Sequence, residues 1–267
     1  RSHDGSLESI AALGPDDLRA FKTRIMSRDG LLVTAVGDID PEAFGALMDR
    51  VFGDLPETGD VAKVPDVKPA IPGETIVIAD QIPQSIVAFG QYGISREDPD
   101  YYAASLLNEV LAGGFGSRLT EEIREKRGLV YGVYAYLLPL DHAPLIRGGL
   151  ATQNARVAES IALVRQEWRR LSESGPTEEE VSDARAHLLG TFALGLTDSD
   201  GVARILLSMR ESELGIDYLD RRDALYDAVT LDDLKRVAAK LYDADALSVV
   251  VVGQPEGVEA TVAAPGG

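Results

Sequence analysis

The 267-residue sequence contains no cysteine and only three histidines. Without cysteine, disulfides, thiolate-bound zinc and thiol nucleophiles are excluded. The histidines His3, His142 and His187 are widely separated, and none lies in an H-x-x-E-H or H-E-x-x-H motif. Because zinc needs about three protein ligands that converge on one point, the sequence predicts no metal site within this chain. Asp183 and His187 share one face of a predicted helix, and we interpret that pair as a surface contact.

Long apolar runs are also absent, and basic residues are scarce. No run reaches the roughly 18 apolar residues that a membrane-spanning helix needs. The chain carries 44 acidic and 26 basic residues, which gives a formal net charge of −18. Such a surface repels phosphate backbones and anionic lipid, so neither nucleic acid nor a membrane is an expected partner. The composition fits a soluble bacterial protein and leaves the periplasm and the cytoplasm open.

An internal repeat is the most informative feature that is present. The stretch LGPDDLRAFKTRIMSRDGLLVTAVG from Leu13 aligns without a gap to VTLDDLKRVAAKLYDADALSVVVVG from Val229, at a constant offset of 216 residues. Each copy predicts a capped amphipathic helix, a short polar turn and an apolar strand that ends at a glycine. The repeat therefore indicates a duplicated domain of roughly two hundred residues, which lies within the usual range of domain sizes.

The repeat also divides the chain into predicted domains. Residues 1–62 are predicted to be the C-terminal tail of a first, catalytic-type copy, whose front lies outside this sequence. The stretch 63–74 is a predicted linker, because it is rich in proline, glycine and charge and has no apolar periodicity. Residues 75–260 are predicted to form a complete second domain, and 261–267 a tail.

Within the second domain, predicted strands come in pairs and do not alternate one by one with helices. Strands are predicted at 75–80, 85–94, 129–138 and 144–153, and a long run of helices precedes one final strand. That order favours the α+β class, with an antiparallel or mixed sheet and helices packed on one face. Thr177 and Glu180 have the spacing of a capping box at the start of one of these helices.

The stretch EEIREKRGLVYGVYAY (121–136) carries the candidate chemistry. Gly128 is predicted to end a short helix in a left-handed conformation, so that Arg124 and Tyr131 can lie on the same side of the reversal. A guanidinium and a phenol are both hydrogen-bond donors, and together they suit a carbonyl oxygen that gains negative charge. On the residues alone, a solvated arginine and a half-buried strand tyrosine are the commoner interpretation. Gly113 and Gly114 indicate a helix stop, with flexible backbone beside a cleft as the alternative.

The longer segment GGFGSRLTEEIREKRGLVYGVYAY (113–136) closely resembles the signature of the second domain in pitrilysin/insulinase-type zinc peptidases, above all their processing-peptidase branch. The likeness extends over the whole chain, through GDIDPEAF, the linker, LSESGPTEEEVSDARAHLLG and the final VVVVGQP. It implies paired halves, each a sheet covered by helices, that enclose a peptide chamber. By that resemblance Arg124 and Tyr131 reach across the chamber to the scissile region of the substrate, and Gly113 and Gly114 shape its wall.

The resemblance also implies a zinc motif, H-x-x-E-H, and a further glutamate in the first half, and no residue of this chain matches them. The implied function is the substrate-chamber part of a zinc-dependent endopeptidase that acts on peptides or unfolded segments. Zinc would come from a missing half or from a partner subunit in a hetero- or homodimer, so this polypeptide alone is expected to be inactive. The alternative is a catalytically inactive structural or assembly subunit of the same fold.

Overall fold

The computed structural model describes residues 4–68 and 72–264 and contains two compact units. One unit comprises the described residues up to Val64 together with Gly195–Gly215. The other comprises the described residues of Pro65–Leu194 and those from Ile216 onward. His3, part of the predicted linker and the end of the predicted tail lie outside the described residues. The division into domains that the sequence predicts stays a prediction.

The smaller unit is built from helices, with bounds α1 Leu7–Ala11, α2 Pro15–Ile25, α3 Pro41–Phe52 and α7 Ser199–Glu211. Proline occupies the first position of α2 and α3, where its missing N–H costs no hydrogen bond. The Asp40 carboxylate accepts from the backbone N–H of Ala43 and caps α3. Within this unit, the Thr34 hydroxyl donates to the Ala203 carbonyl oxygen at 3.0 Å.

The strand predicted in the first copy of the repeat is wrong, although the predicted helix is present as α2. Residues 31–36 form no strand, and their apolar side chains are partly exposed. A strand is stable only when its backbone groups pair with a neighbour. The counterpart in the second copy, Ser248–Gly253, has a strand hydrogen-bonded on each side. No strand of the smaller unit's described residues offers that pairing to 31–36.

The larger unit contains a five-stranded sheet with bounds β1 Thr75–Ala79, β2 Gln84–Tyr92, β3 Val130–Leu138, β4 Leu145–Gln153 and β5 Ser248–Gly253. The strand order is β1-β5-β2-β4-β3. Strands β1 and β5 run parallel, and the other neighbours are antiparallel. The last strand in the chain therefore returns to the sheet's interior, and β3 lies at an edge.

The helices of the larger unit cover one face of this sheet. Their bounds are α4 Tyr101–Ala112, α5 Val157–Ser174, α6 Glu178–Leu194, α8 Tyr218–Asp227 and α9 Leu231–Leu241. The apolar core lies between α4, α5, α9 and alternate strand residues such as Val87, Phe89 and Val251. Trp168 of α5 is fully buried and packs edge-on against the Phe89 ring. The predicted α+β class, with a mixed sheet and helices on one face, is confirmed.

The opposite face of the sheet is open, and Ile86, Tyr92, Tyr134 and Tyr136 are exposed on it. Tyr134 and Tyr136 stack with their ring centroids 5.9 Å apart. Across residues 4–68 and 72–264, no helix combines the length and the apolar content that a bilayer crossing requires. The candidate site lies next to this open face of the sheet.

Candidate functional site

A short π-helix and a tight chain reversal position the first candidate residue. The π-helix spans Thr120–Glu125 and carries Arg124. Gly128 adopts φ 59°, a left-handed conformation that glycine takes without steric cost. Its N–H donates to the Arg124 carbonyl oxygen at 2.9 Å, and the Leu129 N–H donates to that of Ile123 at 3.0 Å. The predicted left-handed cap at Gly128 is confirmed, but the helix before it has π rather than α geometry, which is rare and recurs at functional sites.

A bulge at the start of β3 positions the second candidate residue. The pairing of β3 with β4 shifts register between Val130 and Val133, and both of these valines face the core. The extra residue leaves Tyr131 and Gly132 together on the exposed side. The Tyr131 side chain is 93% exposed. Because Val130 faces the core, Tyr131 points away from it, and the bulge lets Gly132 face the same open side before Val133 returns to the core.

Arg124 and Tyr131 lie on the same side of the reversal. The guanidinium carbon of Arg124 is 5.7 Å from the centre of the Tyr131 ring and 5.2 Å from that of Phe115. Phe115 is on the glycine-rich turn and is largely exposed. Within the described residues, Glu125 is the carboxylate in ion-pair range of Arg124, with 3.5 Å between Nε and Oε1. Two aromatic rings thus flank one guanidinium, and that guanidinium belongs to a residue that lines a cavity.

That cavity has a volume of about 240 Å³ and lies between the end of α4, the π-helix and the start of β3. Gly113 and Gly114 both line it, as do Gly132 and Arg124. Gly113 follows the last residue of α4, and its N–H donates to the Glu109 carbonyl oxygen at 2.8 Å. The predicted helix stop at this pair is confirmed, and the structure also places both glycines in the wall of the cavity.

A buried ion pair holds the start of the π-helix in place. Arg118 is buried and donates from Nε and Nη2 to the two carboxylate oxygens of Glu180, at 2.6 and 2.8 Å. It also donates to the Gly175 carbonyl oxygen at 2.9 Å. Burial acts to raise the pKa of Glu180, but hydrogen bonds from Arg118 and Thr177 outweigh it and lower that pKa to about 2. The predicted Thr177–Glu180 capping box is confirmed and is part of this anchor.

The reversal is anchored on its other side by β4. The Thr152 hydroxyl is buried and donates to the Leu129 carbonyl oxygen at 2.6 Å. Leu129 follows Gly128 directly, so this bond fixes the backbone that joins the π-helix to β3. Arg124 and Tyr131 therefore project from backbone that is tied to the rest of the larger unit at both ends.

The predicted histidine contact has a different partner. His187 Nδ1 lies 2.5 Å from Glu109 Oε1 of α4, whereas the sequence paired it with Asp183 on its own helix. Burial raises the pKa of the Glu109 carboxyl, although His187 acts to lower it. His142 lies in an exposed loop, with its Nδ1 3.0 Å from Asp66 Oδ1. In the part of the chain that the structure describes, no group of three or more His, Asp or Glu residues could hold a metal ion.

The sequence missed Phe115 as a member of the site. The glycines around it were interpreted through their backbone conformation. A single exposed aromatic residue in a turn produces no periodic pattern that would mark it. Two signals were available: a large apolar residue is unusual between glycines in a surface turn, and the turn lies only a few residues from Arg124. The arrangement places a permanent cation that lines the cavity beside an exposed phenol, and both groups are hydrogen-bond donors.

Comparison with known proteins places this geometry in context. A model of the family described as "Peptidase M16 inactive domain" matches residues 12–188. An uncharacterised zinc protease of Streptomyces coelicolor is 29% identical over 250 residues, which cover 88% of this chain and 52% of that protein. A non-peptidase homologue, YmxG of Helicobacter pylori, is 30% identical over 191 residues, covering 71% of this chain and 44% of that one. The beta subunit of the mitochondrial-processing peptidase of Blastocladiella emersonii is 28% identical over 271 residues, which cover 94% of this chain and 56% of that subunit.

A solved structure agrees with the sequence relatives. The crystal structure of a peptidase M16 inactive domain from Pseudomonas fluorescens superposes with a TM-score of 0.85 at 30% identity. The match covers 98% of this chain and 61% of that one. The chain thus spans about half the length of the curated relatives it matches, at 52%, 44% and 56%.

Proposed function

This chain belongs to the peptidase M16 family, as a domain of the inactive type, and from that membership we propose that it forms one wall of the peptide chamber of a zinc-dependent endopeptidase. The substrates are peptides or unfolded segments. The observation that carries the proposal is that the guanidinium carbon of Arg124, a residue that lines the cavity, lies 5.7 Å from the centre of the exposed Tyr131 ring.

Arg124 and Tyr131 act as donors to the substrate. A peptide carbonyl oxygen gains negative charge when its carbon is attacked, and donors already in position stabilise that charge without reorganisation. The Arg124 guanidinium stays protonated throughout, and the rings of Phe115 and Tyr131 restrict its swing. The Tyr131 hydroxyl is exposed and can reach the same carbonyl or the adjacent substrate backbone. Gly113 and Gly114 let the substrate approach the chamber wall closely.

Zinc fits no set of side chains in the described part of this chain, so no catalytic step is assigned to it here. The name of the Streptomyces relative includes zinc protease, and this chain spans 52% of that protein. We therefore propose that a zinc-bearing half or partner subunit, in a hetero- or homodimer, supplies the metal and the general base. When bound there, zinc would activate the attacking water.

A second candidate function is a catalytically inactive structural or assembly subunit. The observation that favours it is the relative from Helicobacter pylori, which is called a non-peptidase homologue and is 30% identical to this chain. The two functions differ in what they require of Arg124 and Tyr131. A structural subunit has no need of two exposed donors at a cavity.

The test combines this chain with its zinc-bearing half or subunit and measures peptide cleavage. Arg124→Met and Tyr131→Phe keep the side-chain bulk and remove the donors. Each is expected to lower kcat/KM by about tenfold or more, the usual cost of losing a transition-state donor. Arg127→Met is the matched control, because Arg127 lies nearby but is paired with Glu122 at 2.6 Å. Unchanged cleavage in both donor variants would reject their roles, and absence of cleavage in every combination would favour the structural subunit.

A further inference from the structure

The cavity beside Arg124 has room that no protein side chain uses. A Cβ atom built at Gly132 would meet no atom within 4 Å. Gly132 does not have a positive φ, so its backbone conformation is open to any L-residue. Glycine in a strand is destabilising by roughly 0.5–1 kcal/mol relative to alanine. A glycine that the backbone does not need, at an exposed bulge next to a cavity, is typical of a place where another molecule approaches closely.

The lining of the cavity decides what that molecule can present. Apart from Arg124 and the Thr120 hydroxyl, the wall consists of backbone and of carbon atoms from Ala112, Phe115 and Val133. The Thr120 hydroxyl lies 3.1 Å from that of Ser117 and is already a hydrogen-bond partner. No carboxylate lines the cavity, and the guanidinium repels a lysine or arginine side chain. The chain's net charge of −18 disfavours acidic peptides.

We propose that this cavity is a subsite for one small or medium-sized apolar side chain of the peptide, with Gly132 leaving the room and Phe115 forming a wall. The inference rests on the proposed function, because Arg124 is then occupied with the substrate backbone, and the other side chains of the lining, apart from the hydrogen-bonded Thr120, are apolar. Valine, leucine and methionine side chains suit the 240 Å³ volume. The subsite therefore selects the residue that lies beside the carbonyl held by Arg124.

The test measures peptide binding to this chain, so it does not depend on cleavage. The probes are labelled peptides of glycine and serine with one central guest residue: Gly, Val, Leu, Glu or Lys. Because only the guest offers a large side chain, it can reach the subsite whatever the register. Wild-type chain is expected to bind the Leu peptide about tenfold more tightly than the Gly peptide, as burial of one such side chain allows. Fluorescence anisotropy gives the dissociation constants.

Gly132→Val fills the cavity from its own wall, and valine suits a strand. It is expected to abolish the preference for the Leu peptide, because the guest side chain can no longer be buried in the cavity. The dissociation constant of the Gly peptide should stay within about twofold of its wild-type value, because that peptide has no side chain to bury. Phe115→Ala should reduce the preference several-fold. Ala79→Val, on an exposed position of β1 at the opposite edge of the sheet, is the matched control and should leave the preference intact.

The outcomes separate this inference from the proposed function. If Arg124→Met weakens every peptide equally but Gly132→Val leaves the preference unchanged, the subsite is wrong and the donor role stands. If Gly132→Val abolishes the preference but Arg124→Met changes nothing, the subsite stands without the donor. A wild-type preference for the Glu or Lys peptide would overturn the apolar assignment, and failure of every peptide to bind would overturn both.

Discussion

The ion pair between Arg118 and Glu180 is expected to be one of the main local determinants of stability in the larger unit. The Arg118 side chain is 5% exposed, and that of Glu180 is 26% exposed. Among the described residues, Arg118 Nη1 has no hydrogen-bond partner. The substitution Glu180→Gln removes the negative charge and one of the two carboxylate acceptors, and it leaves a buried guanidinium whose remaining acceptors, the amide oxygen and the Gly175 carbonyl oxygen, are both neutral.

The expected loss follows from that geometry. Removing one partner of a buried ion pair costs about 3–5 kcal/mol, because the other charge stays buried without compensation. Glutamine keeps the side-chain volume and one acceptor oxygen, and position 180 is partly open to water, so we expect the lower end, about 3 kcal/mol. Glu178→Gln removes the same charge from the same helical turn without a buried partner, and should cost less than about 1 kcal/mol.

Urea unfolding followed by tryptophan fluorescence measures this loss. Trp168 is the chain's one tryptophan and is fully buried in the core of the larger unit, so its emission reports on that unit. The pKa of Glu180 is lowered from 4.5 to about 2 in the folded state. Its contribution is therefore present in full above pH 4.5 and is lost as the pH falls toward 2. Equal losses in Glu180→Gln and Glu178→Gln at pH 7, or a difference that does not shrink below pH 4.5, would refute the reasoning.

Two further predictions concern the reversal and the loop before α4. Gly128→Ala forces a side chain into φ 59° and should destabilise the chain by about 1–2 kcal/mol in the same assay; a loss no larger than that of Gly132→Ala would contradict this. Arg236→Met removes the strongest of the hydrogen bonds that lower the pKa of Asp100 to about 2. By NMR titration that pKa should rise toward 3.8, and the stability that wild type has over the variant should fade as the pH falls from about 4 to 2. An unmoved pKa would show that Lys240 alone suffices.

Features that depend on nearby residues could be predicted from the sequence. The predicted capping box of Thr177 with Glu180 is present, because the partners lie three residues apart and the helix brings them together. The left-handed Gly128 follows from the same local reasoning. The reversal at Gly128 is the local feature that predicted Arg124 and Tyr131 on one side, whereas their role at a site came from the resemblance to the peptidase family.

Features that depend on distant partners could not be predicted. His187 was assigned to Asp183 by helical spacing, but its contact is Glu109, 78 residues away on α4. The π geometry of Thr120–Glu125 also escapes local reasoning, since its hydrogen bonds span five residues where those of an α-helix span four, and packing decides between the two. Phe115 becomes part of the site only because the fold brings its turn against Arg124.

The two copies of the repeat give the clearest view of what packing adds to a sequence pattern. Leu18 of α2 is 61% exposed, whereas its counterpart Leu234 of α9 is fully buried against the core. Equivalent leucines in similar helices thus differ in exposure because different neighbours pack against the two helices. In the second copy such a face is buried because strands and helices pack against it. We therefore expect the proposed zinc-bearing half or subunit to supply strands that pair with residues 31–36 and apolar residues that cover Leu18. Protection of the amide hydrogens of 31–36 from exchange should then appear only when that partner is bound, and protection of equal strength in this chain alone would remove the smaller unit from the interface.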